Sequence, residues 1–127
     1  AVSDFIIDHL ENALATMMPK DTLEAELQRH LSCALSTGVP SAVNVARELG
    51  MSERTFYRRL SGSGLTYQGV VKQVQRGLAE ELLAQDEVSI AEVAFLTGFS
   101  EQATFSRAFK RWVGTPPASF RRQSQVA

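Results

Sequence analysis

Apolar residues recur three and four positions apart along almost the whole chain, and no run alternates as a half-buried strand does. Ile7, Leu10, Leu14 and Met17 step at helical spacing and predict a first helix that stops near Pro19. Asp21 with Glu24 makes a capping-box start for a second helix, with Leu23, Leu27, Leu31 and Leu35 along one stripe. Gly38, Val39 and Pro40 end it. Ser41 can cap a third helix that closes near Leu49–Gly50, and Ser52 a fourth that runs to about Leu60. Ser61-Gly62-Ser63-Gly64 reads as a loop, after which Thr66 opens a long helix from Tyr67 to Gln85. Ser89 with Glu92 is a second capping box, for a helix ending near Thr97–Gly98, and Ser100 caps the next, which reaches about Val113. Pro116-Pro117 begins a last short turn ending in Phe120-Arg121-Arg122. The pattern predicts an all-α protein.

Part of that pattern occurs twice. Ala46, Gly50, Ser52 and Glu53 recur 48 positions later as Ala94, Gly98, Ser100 and Glu101. Phe56 and Arg58 recur at 49 as Phe105 and Arg107, and Gly64 at 50 as Gly114, so two one-residue insertions account for the drift. Each unit is a short helix, a Gly-apolar-Ser turn and a second helix carrying an aromatic and an arginine. Small Ala lets the two helices approach, and Gly suits the tight turn after the first. These are features of a helix-turn-helix, whose second helix can enter a DNA major groove.

The residues on the outer face of each second helix suit that use. In the first unit they are Arg54, Thr55, Tyr57 and Arg58, opposite Phe56 and Leu60. In the second they are Gln102, Ala103, Thr104, Ser106 and Arg107, beside Phe105 and Phe109. Arg pairs bidentately with guanine and Gln with adenine, while Thr and Ala touch the thymine methyl. Ser41, Ser52, Ser89 and Ser100 set a hydroxyl and free N–H groups at helix starts, where phosphate binds. Those serines cap their helices whether or not DNA is bound. Lys110 and Arg121 are further candidates for phosphate. The expected linker helix, Tyr67 to Gln85, spans roughly 28 Å at 1.5 Å per residue. Successive major-groove segments on one duplex face lie about 34 Å apart. A linker of that order holds two reading helices over adjacent grooves, and tandem units in one chain need no palindromic site.

Charge and composition narrow the partner. The 127 residues are 44% hydrophobic and 21% charged, which suits a packed core rather than a disordered chain. Residues 1–40 set Lys20 and Arg29 against six carboxylates, net −4, whereas residues 41–127 hold 11 basic and 8 acidic groups, net +3. The basic excess sits where the repeat is. One cysteine makes no internal disulfide and fits a reducing cytosol. The acidic start argues against a secretory signal, and the longest stretch without Asp, Glu, Lys or Arg, His30–Ala46, is too polar to span a membrane. Starting at Ala1 without Met, the chain is expected to be a piece of a longer protein.

Enzyme chemistry finds little support. His30 and Cys33 are half a metal site at best, with His9 the one other histidine. Gly62-Ser63-Gly64 is no phosphate loop, since no Lys-Ser/Thr follows. No catalytic residue, metal or cofactor is expected. RNA binding would need aromatic platforms for unstacked bases, and Phe109 and Trp112 read as core.

Residues 41–122 resemble the C-terminal DNA-binding domain of AraC/XylS-type bacterial transcription regulators. The segments that carry the resemblance are VARELGMSERTFYRRL, the linker GLAEELLAQ, and IAEVAFLTGFSEQATFSRAFKRWVGTPPASFRR. Most specific are GFS, the F-S-R-x-F-K core and G-x-x-P-x-x-[FY]-R at the family's spacing. The resemblance implies two helix-turn-helix units, residues 41–64 and 89–122, joined by a rigid helix over 66–85 and binding asymmetric promoter DNA. It further implies activation through RNA polymerase, an upstream effector-binding or dimerisation domain, and a bacterial cytoplasmic location. Two points depart from the pattern. Gly77 falls mid-way in the linker helix, where it either allows close packing, the favoured reading, or lets the two units change angle, and the basic excess is small. Residues 1–40 match poorly and are expected to be a helical lead, read as the tail of a regulatory domain, a dimerisation helix, or packing for the DNA-binding body.

Overall fold

The computed structural model describes residues 22–126. The helix expected up to Pro19 and the Asp21 half of the first capping box lie outside them. The described residues are all-α: α1 Thr22–Ala34 with a 3₁₀ turn Leu35–Thr37, α2 Ala42–Glu48, α3 Glu53–Gly62, α4 Tyr67–Leu83, α5 Ile90–Leu96, α6 Gln102–Val113 and α7 Pro117–Val126. Ser41, Ser52, Thr66 and Ser89 each cap the helix that follows, their hydroxyls accepting the N–H of Asn44, Thr55, Gly69 and Glu92.

Two separate cores divide the chain. In the first, Leu23, Leu27 and Leu31 of α1 meet Val45 and Ala46 of α2, Phe56 and Leu60 of α3, and Tyr67, Val70 and Val71 at the start of α4. In the second, Ala79 and Leu83 from the end of α4 meet Val93, Ala94, Phe105 and Phe109, flanked by Phe99, Trp112 and Phe120. Helix α4 is therefore a shared wall, its stripe of Tyr67, Val71, Gln75, Ala79 and Leu83 buried from end to end. The leucine stripe of α1 shows what residues 23–35 do. They pack against the helices that follow, covering one side of α3 and α4. Removing one such buried leucine costs about 2–5 kcal/mol in comparable cores.

The repeat is visible as matched backbone bonds. Gly50 N–H donates to the Arg47 carbonyl and Met51 N–H to Ala46; forty-eight positions on, Gly98 N–H donates to Phe95 and Phe99 N–H to Ala94, all at 2.9–3.0 Å. Gly50 and Gly98 take φ of +77° and +95°, the left-handed turn that a side chain disfavours.

Four expectations need correction. Helix α4 has 17 residues and closes at Leu83, about 25 Å long, because Ala84 and Gln85 turn to join α5. Helix α3 runs past Leu60 to Gly62, which shortens the loop. The tail after Pro117 is a ten-residue helix rather than a turn, with Pro at the first helical position, where its missing N–H costs nothing. Gly77 is not a close-packing site. It is exposed, and a Cβ there would meet nothing within 4 Å.

Candidate nucleic-acid interface

Helices α3 and α6 are built alike. Each is pinned to its core by a wholly buried pair, Phe56 with Leu60 and Phe105 with Phe109. Aromatic neighbours brace the pins: Phe56 lies edge-on to Tyr67 at 5.7 Å between centroids, and Phe105 edge-on to Phe99 at 5.5 Å. With that stripe fixed inward, the opposite stripe faces solvent. Arg54, Tyr57 and Arg58 are exposed on α3, and Gln102, Ala103, Thr104 and Arg107 on α6. Counting from each buried Phe, Arg58 stands where Arg107 stands, Arg54 where Ala103 does, and Tyr57 where Ser106 does. Among the described residues no ion pair engages Arg54, Arg58, Arg107 or Lys110. Their charges are available to a polyanion.

Two members of the expected set are less open. Thr55 is half-buried, and its hydroxyl accepts a hydrogen bond of 3.0 Å from the Ser52 hydroxyl, which in turn accepts the Thr55 N–H. Ser106 is half-buried as well. Tyr57 leans on Phe56 at 5.9 Å and lines a groove with Val39, Thr66 and Tyr67, so one edge of its ring is held while 44% of the residue stays exposed. Beneath it the Tyr67 hydroxyl donates to the Pro40 carbonyl at 2.6 Å, and burial first, then the neighbouring Tyr57, pushes that phenol up to about 12.

Of the residues expected at phosphate, Ser41, Ser52 and Ser89 sit exposed at their helix starts, and Lys110 is exposed in the last turn of α6 beside Arg111. Two differ. Ser100 is not the cap of α6. Glu101 takes that position and makes no side-chain cap bond, because the extra residue of the second unit falls at this turn. Arg121 does not face outward. Its guanidinium donates to the carbonyls of Leu83 at 2.9 Å, Gln85 at 3.0 Å and Val88, closing the open end of α4 and the loop to α5. A cation tied to three carbonyls is a structural clasp rather than a free phosphate contact.

One buried contact has no forerunner in the pattern of exposed residues. Gln75 of α4 donates its side-chain amide to the Thr97 carbonyl at 2.9 Å, and both residues are buried. The signal was present as a polar residue inside the apolar stripe Val71, Gln75, Ala79. Among the described residues no group of three His, Cys, Asp or Glu is placed to hold a metal ion. No helix among them is long and apolar enough to cross a membrane.

The pair of pinned helices matches known proteins. A helix-turn-helix domain family model matches residues 45–123. The chain belongs to the AraC-type helix-turn-helix family. It is 36% identical over 111 residues to the ornithine utilization regulator of Pseudomonas aeruginosa, covering 87% of this chain and 32% of that protein. The chain thus spans about a third of the length of that curated relative. The crystal structure of the DNA-binding domain of AdpA in complex with a target DNA superposes with a TM-score of 0.66 at 28% identity, covering 84% of this chain and 96% of that one. A DNA-binding transcriptional dual regulator from Escherichia coli K-12 shares the fold, with a TM-score of 0.78 at 18% identity over 85% of this chain and 96% of that one. The AraC-type chain described here is therefore a DNA-binding regulator domain.

Proposed function

We propose that this AraC-type domain reads two adjacent major-groove segments of one asymmetric duplex site, using α3 for one and α6 for the other. The carrying observation is that the same positions of two equivalent helices, Arg58 and Arg107, are exposed and unpaired, while the Phe one turn-face away is wholly buried. Helix α4 is about 25 Å long, with α3 packed at its start and α6 at its end, a separation of the same order as the groove repeat of about 34 Å. Arg54, Tyr57 and Arg58 read the first segment, with Thr55 at its edge. Gln102, Ala103, Thr104 and Arg107 read the second, with Ser106 beside them. Ser41, Ser52, Ser89, Ser100 and Lys110 face phosphates. That the related DNA-binding domain of AdpA was solved in complex with a target DNA supports DNA as the partner.

The regulator's wider setting follows the family. The longer relatives leave room for an effector-binding or dimerisation domain, and RNA polymerase is the partner through which bound regulator activates a promoter in the bacterial cytoplasm. No catalytic step or cofactor enters this reading.

Arginine substitution tests it. Arg58→Ala and Arg107→Ala each cost about 1–3 kcal/mol at the right site and relax preference in one block only. Lys110→Ala weakens all sequences alike and lowers the salt slope by about 1. Wild-type affinity and selectivity in both arginine variants would overturn the base-reading assignment.

A further inference from the structure

The two helix-turn-helix turns are equivalent in sequence and in backbone bonds, yet their surroundings differ. Around Gly50 a Cβ would meet nothing within 4 Å. Around Gly98 it would stand 3.2 Å from Val39 Cγ2, 3.3 Å from Leu35 Cδ2 and 3.3 Å from the Leu35 carbonyl. Leu35 is fully buried, and the 3₁₀ turn it opens packs on α5. From the other side, Gln75 of the linker holds the Thr97 carbonyl, one residue before Gly98, while the Thr97 hydroxyl is held by the carbonyls of Val93 and Ala94. The Gly50 position of the first turn faces open space, whereas the Gly98 position of the second is gripped between the lead and the linker.

We infer that Gln75, Leu35 and Val39 are positioning residues that fix the angle of α6 relative to α3, and so set the spacing between the two DNA blocks the domain accepts. The inference rests on the two-segment reading above. Its physical content is that a turn free on all sides would let the second unit rock about the end of α4. A directed hydrogen bond on one side and apolar contact on the other leave one orientation. Two linked reading units gain affinity over either alone only when the geometry lets both engage at once. None of the three residues needs to touch DNA.

The test measures binding of wild type, Gln75→Met and Val39→Ala to duplexes carrying both preferred blocks at the best separation and at separations one and two base pairs longer or shorter. Each single block is measured alongside, and active protein is counted by stoichiometric titration. Gln75→Met keeps length and volume but removes the donor. Val39 is 46% exposed, so Val39→Ala tests the junction from a side where folding is not at stake. The expected result is a sharp optimum in wild type and a flattened profile in both variants. Affinity at the best spacing should fall roughly tenfold, a fraction of the ~10²–10⁴-fold gain that linkage can supply, with single-block affinity kept. A mere loss of stability lowers the active fraction and leaves the profile shape alone. Unchanged profiles in both variants, or equal losses on single blocks, overturn the positioning role. A wild type indifferent to spacing overturns the two-segment reading itself.

Discussion

The Arg121 guanidinium donates to the Leu83 carbonyl, 38 residues back along the chain, at 2.9 Å. It reaches two more carbonyls of the loop that follows, so α7 closes the C-terminal end of α4 with a side chain. Losing a charged donor from half-buried carbonyls costs about 1.5–3 kcal/mol. Arg121→Ala is expected to lower stability to denaturant by that order. The salt dependence of DNA binding should stay at the wild-type slope. Arg121→Lys recovers little, since one ammonium cannot reproduce the planar fork. Denaturant midpoints and a salt titration of affinity read both halves.

Gly98 and Gly50 separate two effects that usually come together. Both need a positive φ, which costs an alanine roughly 1–2 kcal/mol. Only at Gly98 must Leu35 and Val39 also give way. Gly98→Ala should therefore destabilise more than Gly50→Ala. Equal losses in urea melts would show that the lead does not press on the second turn.

Gly77 predicts a gain. Its Cβ would enter open space within a helix, so Gly77→Ala should stabilise by about 0.5–1 kcal/mol with DNA affinity unchanged. A lower melting temperature would contradict the open geometry.

Tyr67 gives a pH dependence of known sign. Its phenol is raised from 10.0 to about 12 in the folded chain, so between those values the folded state holds a proton that the unfolded state has released. The stability tied to the neutral phenol is complete below pH about 10 and is lost as pH rises toward about 12. Tyr67→Phe should remove that portion of the alkaline decline and also lose the bond to the Pro40 carbonyl. The comparison is of denaturant midpoints for the two proteins across that range.

What could be read from the sequence was whatever local chemistry decides. The stripe of Leu23, Leu27, Leu31 and Leu35, the caps at Ser41, Ser52, Thr66 and Ser89, and the paired turns at Gly50 and Gly98 all depend on neighbours within a few positions. The failures share a different origin. Whether Ser100 or Glu101 caps α6 depends on which residue of the second turn is the extra one, and the 48-to-49 shift in the repeat leaves both open. Arg121 has the look of a surface cation until the end of α4 is brought to it by the fold. Gly77 reads as a packing device only while its surroundings are unknown. Gln75 went unread: an amide within an apolar stripe needs a buried partner, but that the partner is the Thr97 carbonyl is decided only when the fold brings α5 to α4.

Selection of bound duplexes from a random pool, at a low and a high salt concentration, tests the central claim most directly. Two-unit reading predicts one enriched asymmetric motif with two blocks about one helical turn apart, kept at the higher salt while non-specific binding falls away. A single enriched block, or no enrichment at either salt, would contradict it.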